Sequence, residues 1–98
     1  MSAAVWGVSA LLFLAGLAAV VLRHRLIAML LGLELMLSAV NFPLVYHAGL
    51  FGDAEALSSV LLLIAIAAAE AVVGLSLVLM VFGSGRPADA EALSELRG

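Results

Sequence analysis

Twenty consecutive residues, Ala3 to Leu22, carry no charge. As a helix rising about 1.5 Å per residue, such a run is about 30 Å long, the thickness of a bilayer's hydrocarbon core. Two further runs match it in kind. Leu26 to Tyr46 is interrupted only by Glu34, and Leu57 to Phe82 only by Glu70. Lipid offers no water to backbone N–H and C=O groups, so a single spanning segment must satisfy them within itself, as a helix does. The pattern predicts an all-α integral membrane protein with three transmembrane helices. The alternative is a soluble helical hairpin that associates through every face. Composition argues against it: 66% of the 98 residues are apolar and 11% charged, whereas a soluble domain keeps about a quarter of its residues charged.

The charges between the runs set the topology. Arg23 and Arg25 lie in the first connection, residues 23–25, and Arg86 and Arg97 in the tail, residues 83–98. The second connection, residues 47–56, holds Asp53 and Glu55 but no Lys or Arg. The positive-inside rule puts the first connection and the C-terminus in the cytoplasm, and the N-terminus and second connection outside. One membrane domain then fills residues 1–98, with spans at 3–22, 26–46 and 57–82. The first run is expected to be a retained helix, not a cleaved leader, because no Lys or Arg precedes it and it is longer than a signal peptide's apolar region. Trp6, Tyr46 and Phe51 fit an interfacial belt on the outer side, and the two arginines fit headgroup anchors.

The connections carry local signals. The three residues Arg23-His24-Arg25 force the first two helices into a tight antiparallel pair. Gly49, Gly52 and Asp53 read as an exposed turn. Gly83-Ser84-Gly85-Arg86-Pro87 stops the third helix. Beyond it, Leu93 and Leu96 among Asp89, Glu91 and Glu95 fit either one or two amphipathic turns or a solvated tail.

Glu34 and Glu70 carry the chemistry. Counted from the cytoplasmic ends of their spans, Glu34 sits about 12 Å deep and Glu70 about 18 Å deep, within about one helical turn of each other. A charged side chain at such depth costs roughly 2.5–3.5 kcal/mol on insertion scales, which makes it a functional candidate. Removal from water favours the neutral acid, so each group is suited to taking up and releasing a proton. The alternative is that each glutamate only hydrogen-bonds a neighbouring helix. Ser38 and Asn41 follow Glu34 at i+4 and i+7 and share its face, a polar stripe or an interhelical seam. Pro43 removes the hydrogen bond to the Ala39 carbonyl and bends the outer end of the second helix. On the third helix Ala67, Glu70, Ala71 and Gly74 form a flat face of small residues, which a partner helix from another subunit can cover. Gly7, Ser9 and Gly16 repeat the small-residue theme on the first helix, where packing is the plainer reading.

Other classes find no support. With no cysteine, the chain offers no thiolate metal site, iron–sulfur ligation or disulfide. His24 and His47 are far apart, and no metal site is expected. No basic patch, RNA motif, P-loop, dinucleotide fingerprint or nucleophile elbow is present, so neither nucleic acid nor a cofactor in this chain is expected.

Two segments together resemble a known family. Leu31-Gly32-Leu33-Glu34-Leu35-Met36-Leu37-Ser38-Ala39 with Asn41 resembles the second helix of subunit K of the proton-pumping NADH–quinone oxidoreductases, bacterial complex I. Ala67-Ala68-Ala69-Glu70-Ala71-Val72-Val73-Gly74-Leu75 resembles the third. The ending Ser94-Glu95-Leu96-Arg97-Gly98 and the basic first loop are also similar, so the resemblance spans essentially the whole chain. The family often has adjacent arginines in that loop, whereas His24 separates them here, and Pro43 is not part of the pattern.

The resemblance implies a multi-pass subunit of a translocase in the bacterial inner membrane, without a redox centre of its own. NADH and quinone would be used by the whole complex. Its partners would be neighbouring small subunits, antiporter-like subunits and the lipid bilayer. Glu34 and Glu70 would serve proton transfer along the membrane arm, and Arg23 and Arg25 would matter for activity, with Ser38 and Asn41 in support. Two other readings compete: the similar small subunit of a multi-subunit cation/proton antiporter, and a structural assembly subunit whose glutamates only join helices.

Overall fold

The computed structural model describes residues 2–85 and 90–96, without side-chain detail at 92, 95 and 96. The expectations placed on Arg86, Pro87, Asp89, Arg97 and Gly98 lie outside the described residues. Each apolar run forms one helix: α1 is Ser2–Leu22, α2 is Leu26–Phe51 and α3 is Ala54–Gly83. All three are long and apolar enough to cross a membrane, and the protein is a multi-pass membrane protein. A short fourth helix, α4, is Ala90–Leu96.

The helices reach further than the charge-free runs. Residues 47–51, expected in the outer connection, continue α2, and residues 54–56 already belong to α3. Only Gly52 and Asp53 turn the chain. Gly52 adopts φ 61°, a left-handed conformation that suits glycine. Asp53 caps α3, its Oδ1 accepting from the N–H groups of Glu55 and Ala56 at 3.1 Å each. With both helix ends satisfied in two residues, nothing obliges the flanking residues to leave the helix. α2 also runs unbroken through Pro43.

α2 lies in the middle. It packs against α1 on one side and α3 on the other, while α1 and α3 hardly touch. The result is a thin slab of 51 × 24 × 16 Å. On the α1 side the contact is a stripe of small residues seven apart, Ser9 and Gly16 against Gly32 and Ala39, all buried. Gly16 and Gly32 bring the two backbones together: a Cβ built on Gly32 would lie 2.6 Å from the Gly16 carbonyl oxygen. Close backbone approach at small residues is how helices associate where lipid removes the hydrophobic drive. Gly7, by contrast, has nothing within 4 Å.

α3 shows one face to α2. Ala67, Glu70, Ala71 and Gly74 are half-buried, while most of the remaining α3 side chains are exposed. The small-residue face that suggested a cover from another subunit is thus partly covered from within, since Leu30 of α2 sits directly over Gly74. The hydroxyls of Ser58, Ser59 and Ser76 donate to carbonyls four residues back and need no partner in lipid.

Candidate functional site

The α2–α3 register brings the two glutamates level. Leu26 and Val78 share one buried cluster, and one turn outward Leu30 lies on Gly74. A further turn along both antiparallel helices pairs Glu34 with Glu70. The turn gives the same answer independently. Glu34 lies 18 residues before Gly52 and Glu70 lies 17 residues after Asp53. At about 1.5 Å per residue both sit about 26 Å from the turn. The full helical turn of offset expected from the inner ends of the spans is therefore absent.

Both side chains are half-buried, and in each the Oε1 atom is buried with no hydrogen-bond partner. Glu70 lines a groove of about 590 Å3 between α2 and α3, together with Leu30, Leu33, Val73 and Gly74. The groove is otherwise apolar, so its one carboxyl has no competing polar side chain on the wall. Left ionised and unpaired there, a carboxylate carries a large desolvation cost. A hydrogen-bond donor from outside the chain would remove that cost.

Ser38 and Asn41 come together one to two turns outward. They line a small notch of about 140 Å3 with Leu37 on α2 and with Leu63, Ile64 and Ala67 on α3. Asn41 is half-buried and its Oδ1 is unpartnered, whereas Ser38 is exposed. The expected polar stripe is therefore two features: the level pair of glutamates and a separate notch outward of it. Arg23 and Arg25 are exposed at the other end and approach neither carboxyl. Arg25 precedes α2 as its N-cap in an extended conformation, with no side-chain cap.

Sequence reasoning did not find four contacts. His47 and Asp53 meet across the turn, Nε2 to Oδ2 at 3.2 Å, the one contact between a basic side chain and a carboxylate among the described residues. The Asp53 carboxyl is held below the ordinary carboxylate range, chiefly by the Ala56 N–H, with His47 and the Glu55 N–H adding to it against partial burial. The spacing of an aspartate just before a helix and a histidine six residues earlier was the available signal. Leu30 on Gly74 had none, because register is not written in either helix alone. At the opposite end, Ala90 N–H donates to the His24 carbonyl at 3.0 Å, and Leu93 packs against Leu26, Val78 and Val81. Among the described residues, no group of three or more His, Cys, Asp or Glu could hold a metal ion.

Three spanning helices with a level pair of intramembrane carboxyls define a small, multi-pass membrane subunit of the kind suited to moving protons. Residues 4–98 match the family described as NADH-ubiquinone/plastoquinone oxidoreductase chain 4L, and the chain belongs to that family. It is similar to NADH-quinone oxidoreductase subunit K from a Sulfurihydrogenibium species, with 40% identity over 92% of this chain and 90% of the relative. It is also 40% identical to subunit K of Persephonella marina, over 91% of this chain and 89% of that one. Subunit K of Sulfurihydrogenibium azorense is 39% identical over 92% and 90%.

Proposed function

We propose that this chain is a membrane-arm subunit of a bacterial NADH–quinone oxidoreductase and that Glu34 and Glu70 act together in its proton translocation. NADH oxidation and quinone reduction take place on other subunits of the complex, and this one contributes no redox centre. It sits in the inner membrane with the Arg23–Arg25 end and the C-terminus in the cytoplasm, as the distribution of its basic residues favours. The observation that carries the functional reading is the α2–α3 register, which sets Glu34 opposite Glu70.

The chemistry follows from the pairing. Two carboxyls at one level, each with an unpartnered buried oxygen, offer neighbouring stations between which a proton can be handed on, directly or through a water. Ser38 and Asn41 offer hydroxyl and amide groups outward of the pair, where a water could connect it to the next polar group. Arg23 and Arg25 anchor the inner ends of α1 and α2 at the headgroups. Neighbouring small and antiporter-like subunits complete the path beyond this chain.

The test is proton pumping driven by NADH in sealed vesicles carrying the intact complex. Glu34→Gln and Glu70→Gln keep a hydrogen-bonding amide but remove the ionisable proton. Each is expected to lower pumping severely in a complex that still assembles. If both variants pump as the parent does, the glutamates are only helix joints and the proposal is wrong. Pumping driven by NADH also separates this reading from that of a cation/proton antiporter, which needs no NADH.

A further inference from the structure

The groove that Glu70 lines runs toward the Arg23–Arg25 face, and the tail packs behind the residues at that end. From Glu70 the groove passes Leu30 and Gly74 and finishes at Leu77, Met29 and Leu26. Leu26 also belongs, with Val78 and Val81, to the buried apolar cluster on which Met29 and Leu93 pack. Val81 lies only two residues from the end of α3, where a helix in a thin slab is normally open, yet it is fully buried.

Two independent contacts seat α4 there. One is the side chain of Leu93 on the cluster, and the other is the hydrogen bond from Ala90 N–H to the His24 carbonyl. Gly85, at φ 78°, begins the return just after α3. A frayed, solvated tail would have neither contact. α4 thus joins the first connection and the inner ends of α2 and α3 in one apolar stopper, with Leu93 packed on the cluster that holds Leu26, the residue shared with the end of the groove.

The geometry points to Leu93 as a seal that closes the inner end of the α2–α3 groove to water. Apolar constrictions block water and protons by dewetting, without any need to fill the whole passage. With this end closed, Glu70 does not exchange protons straight down the groove with the solvent on the Arg23–Arg25 side. Exchange runs sideways instead, across the interface to Glu34 or to a neighbouring subunit. The role rests on the reading of Glu70 as a proton-exchanging group, but the seal itself is a property of water access and can be measured separately.

The chain has no cysteine, so labelling read on this subunit's own gel band reports on a single introduced thiol. Leu77→Cys is placed at the end of the groove, in the assembled complex in sealed vesicles with the Arg23–Arg25 face outward. It is treated with a membrane-impermeant methanethiosulfonate, which needs a water-exposed thiolate. With Leu93 intact, labelling is expected to be slow. Adding Leu93→Ser should speed it on the order of tenfold by wetting the constriction, while adding Leu93→Met should leave it slow. Where Leu93→Ser does not assemble on a native gel, Leu93→Ala serves in its place. Equal labelling rates with and without the Leu93 substitution, fast or slow, overturn the seal. The same comparison in a Glu70→Gln background should give the same contrast. A Glu70→Gln complex that pumps normally would therefore remove the proton role of Glu70 and leave the seal standing.

Discussion

Gly32→Ala tests whether the α1–α2 contact depends on backbone approach. The added Cβ would lie 2.6 Å from the Gly16 carbonyl oxygen, 2.9 Å from Val20 Cγ2 and 3.0 Å from Ala19 Cβ. Ordinary contact begins at about 3.4 Å, so the helices must separate locally by about 0.8 Å. The obstructing carbonyl is backbone and cannot rotate aside. Overpacking of this kind costs about 1–3 kcal/mol, and the rigid neighbour argues for the upper half of that range. Alanine returns about 1 kcal/mol through its better helix propensity, leaving a net loss of about 1–2 kcal/mol by the same two estimates. Gly7→Ala is the matched control, since nothing lies within 4 Å of Gly7 and only the propensity gain remains. Gly74→Ala is intermediate, because its obstacle is the end of the Leu30 side chain, which can turn away. The assay is retention of the chain in detergent-extracted complex, run on native gels after a series of temperatures. The expected order of stability is Gly7→Ala at or above the parent, then Gly74→Ala, then Gly32→Ala. If Gly32→Ala is retained as well as Gly7→Ala, the close approach does not hold α1 to α2 and the reasoning fails.

Filling the outer notch with Asn41→Leu should lower NADH-driven pumping, because it removes the one half-buried amide outward of the carboxyl pair; Asn41→Ser, which keeps a polar group, should retain more of it. Asp53 links the turn to pH. Its carboxyl is lowered in the folded chain, so its support for the turn is complete above the ordinary carboxylate value and is lost as pH falls through the lowered one. Hydrogen exchange of the peptide spanning Gly52 to Ala56 in the purified complex should therefore quicken at acid pH relative to the intrinsic amide rate, and Asp53→Asn should abolish that pH dependence while keeping a capping oxygen. Val81→Ala should loosen the inner end of α3, since a fully buried side chain loses packing that lipid does not replace; faster exchange at Phe82 to Ser84 would show it.

The spans, their number and the identity of the two carboxyl positions were legible because lipid enforces them. A charge-free run of bilayer length has one structural solution, and a carboxyl within it is conspicuous against its neighbours. The glycines were only partly legible. Gly16, Gly32 and Gly74 make close contacts and Gly7 makes none, yet all four sit in similar apolar surroundings. What separates them is which helix face meets a neighbour, and with apolar residues on every side no amphipathic period marks that face. Ser38 shows the same difficulty. Its spacing from Glu34 suggested one polar stripe, but its exposure and its notch with α3, which separate it from Glu34, depend on where α3 lies.

The depth of the two glutamates makes the physical reason plain. Counting from the inner hydropathy ends assumes that those ends lie level, and here they do not: Leu26, the first residue of α2, packs with Val78, five residues before α3 ends at Gly83. Counting from a turn compares two helices at a point where the chain itself joins them. A two-residue turn fixes relative height to within about one residue, or about 1.5 Å, and the Leu30–Gly74 contact confirms it from side chains deep in the span. The capping chemistry of Gly52 and Asp53, far from either carboxyl, is therefore what sets Glu34 opposite Glu70. One residue inserted into that turn would leave each helix intact, yet it would shift α3 by about 1.5 Å and rotate it by about 100° if the helix ran on from the new end. Such an insertion should impair pumping as a glutamate substitution does, while leaving both carboxyls in the chain.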